Sequence, residues 1–224
     1  TVRAAMAVRL ARAGVKPRVW NRTRAKAEAI ADQGCGVADT IADLRDSDVV
    51  FTMVATPADL EQVLLGEGGL LVDPAHLPGA VVDCSTVSIE SSERIRTECA
   101  AAGVDFLAAP VSGNGKVVAA GRLTFVVSGP KATYDKVAHL LGHMGKSVTY
   151  VGEGDTARLA KICHNLMLGV VAQTMAEITV LAEKGGMSRA AFLEFLNESV
   201  MGSTFTRYKS PAYVHLDYTP TFTP

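Results

Sequence analysis

Lys161 and Asn165 stand four residues apart in the stretch 152–183, GEGDTARLAKICHNLMLGVVAQTMAEITVLAE. The stretch holds no proline, and its apolar residues Leu159, Ile162, Leu166, Val170, Met175, Ile178 and Leu181 recur mostly three or four apart. That period predicts one long helix buried along a broad stripe, with Lys161 and Asn165 on a shared face. A lysine in such surroundings either extends its ammonium to solvent or is held in place for proton chemistry. Spacing leaves both readings open.

A second group sits near the start, Trp20-Asn21-Arg22-Thr23-Arg24, at the end of a predicted strand. A dinucleotide fold normally carries an acidic residue there for the ribose hydroxyls of NAD. Arg22 offers a planar fork of donors and Thr23 a further one, which suits a ribose 2′-phosphate instead. The same residues also suit a solvated turn in which Thr23 caps the next helix.

The elements around these groups follow from pattern. Residues 1–14 predict a helix closed by Gly14, 15–20 a strand, and 23–34 a helix opened by Thr23 and closed by Gly34. A short helix over 41–46 precedes the apolar run 48–54, of the kind buried in a parallel sheet. Helix 57–66 begins at Pro57, strand 79–86 follows, then helix 88–103 capped by Ser88 and strand 104–111. This alternation predicts a doubly wound α/β sheet. Strands over 122–129 and 147–152 flank a helix over 130–145, and beyond 153 the pattern is helical only, with a further helix over 188–199. The tail from Ser210 onward is read as extended. Residues 1–153 therefore predict an α/β domain and residues 154–224 an all-helical one.

Composition narrows the partners. A chain of 224 residues with 48% hydrophobic content and a net charge of −1 has no basic excess to draw it to nucleic acid or an anionic membrane. The four cysteines form no CxxC pair, so neither a metal site nor a disulfide framework is expected. Arg158, Lys161, Glu177 and Glu183 interrupt the long apolar run, so no membrane span is expected and a cytoplasmic setting is.

Four stretches taken together resemble the β-hydroxyacid dehydrogenase family, whose members include 3-hydroxyisobutyrate dehydrogenases, tartronate semialdehyde reductases and glyoxylate/succinic semialdehyde reductases. They are Asp83-Cys84-Ser85-Thr86, Ala109-Pro110-Val111-Ser112-Gly113, Gly121-Arg122-Leu123-Thr124, and the Lys161-to-Asn165 segment after Gly152-Glu153-Gly154. The resemblance implies an N-terminal Rossmann domain that binds NADP, an all-helical C-terminal domain like that of 6-phosphogluconate dehydrogenase, and a long helix between them. It implies a homodimer or homotetramer formed through the helical domain.

It also implies roles. Lys161 would be the catalytic lysine and Asn165 would hold a small carboxylate substrate in register. Ser112 and Gly113 would bind that carboxylate, with Asn114 standing where the family carries a second glycine. Asn21, Arg22, Thr23, Val54, Ala55 and Thr86 would bind the cofactor, with NADP favoured over NAD. His164 replaces an asparagine of the family pattern. Arg3 falls where a third glycine is usual, so the first two would precede Thr1, and the family's later lysine–aspartate segment would lie beyond Pro224. The function expected is hydride transfer between a nicotinamide and a small 3-hydroxy acid or aldehyde acid. The alternatives are an imine reductase of the same architecture, which usually lacks the lysine, and a non-catalytic NADP-binding scaffold.

Overall fold

The computed structural model describes residues 2–113, 117–118 and 120–219. These fall into two compact units, Thr1–Lys161 and Ile162–Pro224. The first begins with α1 (Val2–Arg12), which buries Met6, Val8 and Leu10 and ends at Gly14, whose φ of +85° closes a left-handed turn. Strand β1 (Arg18–Val19) pairs in parallel with β2 (Gly36–Val37). Between them the helix expected over 23–34 is broken into α2 (Arg24–Glu28) and a 3₁₀ turn, Ala31–Gln33. The break falls at Ile30, which leaves helical torsions and packs with Val8 and Cys35. The short helix expected at 41–46 is also a 3₁₀ turn, Ala42–Leu44.

Strands β3 (Val50–Thr52), β4 (Ala80–Asp83) and β5 (Asp105–Ala108) form a parallel sheet in that order. Crossovers carry α3 (Pro57–Leu65) and α4 (Ile89–Ala101), whose first turns are capped by the hydroxyls of Thr56 and Ser88. Alternate strand residues enter different cores. Val81 and Phe106 pack with Leu60, Leu64 and Ile95, while Val82 and Leu107 pack with Met6, Leu10 and Leu141. Both faces of the sheet are thus covered, as a parallel sheet requires. Strand β6 (Val111–Ser112) runs antiparallel to β7 (Leu123–Val127), which pairs in parallel with β8 (Gly145–Tyr150). Ala108 and Ser128 bridge this ladder to β5, and α5 (Lys131–Met144) connects β7 to β8. The architecture is the doubly wound α/β arrangement that the strand–helix alternation implied, of the Rossmann type that the family resemblance implied.

Helix α6 (Thr156–Lys184) runs 29 residues and is the element in which the chain passes from one unit to the other. Unit two adds α7 (Arg189–Glu198), capped by Ser188, and α8 (Thr204–His215), opened by a reciprocal capping box of Ser203 and Thr206. Its core is Met175, Leu193 and Tyr213 with flanking Val171, Phe192 and Leu196. The tail expected to be extended from Ser210 onward is instead helical over its first six residues, Ser210 to His215, the second half of α8. Pro211 removes one backbone donor from that helix. The helix persists because Tyr213 is buried and its hydroxyl donates to the Ala172 carbonyl at 2.6 Å.

The buried stripe expected along α6 is corrected as well. Of its seven residues only Met175 is buried. Leu166 is 67% exposed and Leu181 71%, and Leu159, Ile162 and Val170 are also exposed. By length and composition α6 is apolar enough to cross a membrane. Its first turn, however, is built into the polar interior of unit one through Arg158, which is 2% exposed.

Candidate active site

The loop after β1 holds the expected ribose-binding residues. Asn21 Oδ1 accepts from the Thr23 backbone N–H at 2.9 Å, a local turn that fixes the loop. Thr23 does not cap α2 with its side chain, contrary to the capping reading. Arg22 is exposed, and its Nη1 donates to Asp59 Oδ1 at 2.9 Å on the first turn of α3. Asp59 also accepts from the Thr56 hydroxyl, and that hydroxyl, followed by Arg22, holds the carboxyl below its usual range. Arg24 is committed elsewhere, donating to Glu28 at 2.7 Å and to Asp39 at 2.5 Å. Of the two arginines, Arg22 is the one pointed at the α3 N-terminus.

Val54 and Ala55 follow β3, and Thr86 follows β4. Because β3 and β4 are parallel neighbours, these residues lie side by side at the carboxyl end of the sheet, where open α/β sheets receive ligands. Ala55 and Thr86 are exposed and Val54 is half-buried. Ser85 ties the two strand ends together, since its hydroxyl accepts from the Val54 N–H at 2.9 Å.

Ser112 ends β6 opposite Thr124 of β7 and is half-buried. Gly113 has φ +138°, and a Cβ there would meet Val117 Cγ1 at 2.7 Å, so only glycine fits. Asn114 lies outside the described residues.

Lys161 is the last residue of unit one and Asn165 belongs to unit two, so the pair is joined here by the helix that carries both. Lys161 is half-buried, and burial alone lowers the pKa of its amine below the ordinary 10.5. Asn165 is exposed, and its Oδ1 lies 3.1 Å from His164 Nδ1. It borders an open depression along α6 with Leu166, Gly169, Val170, Gln173 and Thr174.

Sequence reasoning missed a buried polar cluster behind these residues. Arg158, read only as a charge interrupting the apolar run, donates from Nη2 to Asp83 Oδ2 at 2.5 Å, from Nη1 to the Ser85 carbonyl at 2.5 Å, and from Nε to the Ser92 hydroxyl at 3.0 Å. Asp83, 0% exposed, accepts at Oδ1 from the hydroxyls of Thr52 (2.7 Å) and Ser85 (2.6 Å). The Ser92 hydroxyl donates to Asp155 Oδ1, whose Oδ2 accepts from Arg96. An acidic residue closing a buried strand was the available signal, since such a charge needs a partner. Among the described residues no group of three potential ligands could hold a metal.

These features define a class: a doubly wound dinucleotide-type domain whose buried strand ends are tied to the first turn of a long helix, with exposed loop residues just beyond them. Two family profiles account for the chain in succession. Residues 4–152 match the NAD binding domain of 6-phosphogluconate dehydrogenase, and residues 152–223 match the NAD-binding domain of NADP-dependent 3-hydroxyisobutyrate dehydrogenase. The chain belongs to the β-hydroxyacid dehydrogenase family. It is 31% identical over 199 residues to 3-hydroxyisobutyrate dehydrogenase of Pseudomonas aeruginosa, a match covering 88% of this chain and 66% of that one. It is 31% identical over 218 residues to the chloroplastic glyoxylate/succinic semialdehyde reductase 2 of Arabidopsis thaliana, covering 97% of this chain and 61% of that one. The chain thus spans less than two thirds of the length of these relatives. A solved structure of Mycobacterium tuberculosis 3-hydroxyisobutyrate dehydrogenase with L-serine aligns with TM-score 0.82 at 26% identity, over 98% of this chain and 77% of that one.

The residues present fit a dinucleotide. Exposed Arg22, paired with Asp59 beside the α3 N-terminus, carries donors suited to phosphate; Asn21–Thr23 hold no acidic side chain, and Ala55 and Thr86 stand exposed just beyond β3 and β4.

Proposed function

We propose that the chain acts as an NADP-dependent oxidoreductase that interconverts a small 3-hydroxy acid and the corresponding carbonyl acid. The observation that carries this reading is the amine of Lys161, half-buried and lowered in pKa by burial, one helical turn before Asn165. A bound nicotinamide would donate or accept the hydride. Lys161 would then give a proton to the substrate oxygen, or take it back, and stabilise the charge that develops there. Asn165 would hydrogen-bond the substrate and hold it in register. Ser112 and Gly113 would receive its carboxylate, the hydroxyl and the side-chain-free backbone offering donors at close approach; Asn114 completes that loop in the reading. Asn21, Arg22, Thr23, Val54, Ala55 and Thr86 would hold the cofactor, with Arg22 on the 2′-phosphate. The exposed apolar residues of α6 suit burial against a second copy of the chain, so a dimer or tetramer belongs to the reading.

The test is NADPH consumption over short aldehyde acids, keto acids and cyclic imines. Turnover of an aldehyde acid is expected, with a loss of about 10²–10⁴-fold in Lys161→Ala. Parent-level turnover by that variant overturns the catalytic role. Turnover of cyclic imines alone points to the imine reductase alternative. Arg22→Asp is expected to lower the preference for NADPH over NADH, and an unchanged ratio removes Arg22 from the cofactor site.

A further inference from the structure

The Arg158 cluster has no part in the chemistry above, yet its bonds reach the ends of β3 and β4, just before the loops that carry Val54 and Thr86. The guanidinium is shared among three pieces of chain: Asp83 at the end of β4, the Ser85 carbonyl just beyond it, and Ser92 on α4. Through Asp83 and Ser85 the same cluster takes in Thr52 at the end of β3 and the Val54 backbone N–H. One buried ion pair therefore fixes the ends of two strands and the first turn of α6 together. A second tie holds that turn, because the Ser128 hydroxyl accepts from the Ala157 N–H at 3.0 Å and donates to the Gly154 carbonyl at 2.8 Å.

Lys161 lies three residues beyond Arg158, on the same side of the helix. Burial lowers the pKa of its amine, and the turn that precedes it is held by Arg158 and by the Ala157 N–H. A buried ion pair is a poor device for stability alone, since desolvation offsets most of its attraction. Apolar side chains of similar volume would fill the space. They would not fix the rotation of the helix about its axis, whereas a fork bound to three separate acceptors does.

We propose that Arg158 is a positioning residue: anchored by Asp83, Ser85 and Ser92, it holds Lys161 in fixed register with the loops that carry Val54 and Thr86. The inference rests on the reading of Lys161 as the proton donor, and it is tested so that the two can fail separately. Ser92→Ala, Arg158→Lys and Lys161→Ala are prepared in the whole chain. The titration of each lysine amine is followed by competitive acetylation with acetic anhydride, read peptide by peptide in a mass spectrometer. Ser92→Ala removes an acceptor of Arg158 without changing any charge. Lys161 is expected to titrate nearer an ordinary lysine in Ser92→Ala and in Arg158→Lys, while Lys131 stays at its parent value. With NADPH and succinic semialdehyde, kcat is expected to fall about tenfold or more with the KM for NADPH little changed, as misplacement of a reacting group implies. An unmoved Lys161 titration in folded Ser92→Ala overturns the proposal, whatever happens to kcat, and decides the matter even if Arg158→Lys does not fold. If Lys161→Ala turns over like the parent, the catalytic reading falls, and the titration alone judges Arg158.

Discussion

Lys161 and Asp83 show what burial does to a single charge with and without a partner. Lys161 is perturbed by desolvation alone, so its native pKa lies below its unfolded value. In the window between those two values the unfolded chain binds more protons, and stability rises with pH there; below the native pKa the penalty for the buried ammonium is present in full. Lys161→Met is therefore expected to raise Tm at neutral pH. The gain should shrink as pH climbs toward 10.5, which thermal melts across that range would check. Asp83 is the opposite case. Its carboxylate is matched by Arg158 and two hydroxyls, and Asp83→Ala strands a buried guanidinium. A loss of about 3–5 kcal/mol is expected by urea unfolding.

At the scale of elements, periodicity and the helix starts at Pro57 and Ser88 were legible, while the cap read at Thr23 does not form and burial was not legible. Pro57 and Ser88 mark the starts of α3 and α4 both in sequence and in structure, because a first-turn proline and a side-chain cap each act locally. Substituting Ser188 by Ala, which removes the acceptor for the Ala191 N–H on α7, is expected to cost about 1 kcal/mol. Helix α8 escaped notice because Pro211 and its hydroxyl-rich first turn argue against a helix locally. What overrides them is tertiary: buried Tyr213 and the bond of Asn197 Nδ2 to the Ser210 hydroxyl at 2.8 Å. Along α6 the three-four period identified the helix and not which stripe is covered, since Leu166 and Leu181 keep the spacing of a core face while standing exposed. The candidate site followed the same division. Ser112, Gly113 and Thr86 are candidates by family resemblance and Lys161 also by helical spacing, whereas Arg158 stayed hidden because its partners lie 66 to 75 residues away in sequence.

On the scale of the whole chain, the two units have cores of unequal size. Unit one closes three apolar clusters around its sheets, while unit two rests on Met175, Leu193 and Tyr213. A core that small supplies only a few kcal/mol by itself. Urea is therefore expected to remove helical circular dichroism in two steps, the first belonging to unit two. Trp20, the chain's one tryptophan, reports unit one and should respond only in the second. If a second copy covers the apolar face of α6, the first midpoint will rise with protein concentration, and the second will not. A first midpoint independent of concentration counts against that assembly.

The four thiols differ in reach. Cys35, Cys84 and Cys99 are buried, and burial pushes the Cys99 thiol up to about 12, whereas Cys163 is exposed on α6. Ellman's reagent should therefore release one fast equivalent from the native protein and three more only on unfolding. A maleimide dye would go to the same atom, two residues from Lys161, with no cysteine removed beforehand. The chain thus carries its own attachment point for an optical probe beside the helical turn on which proton transfer is proposed to depend.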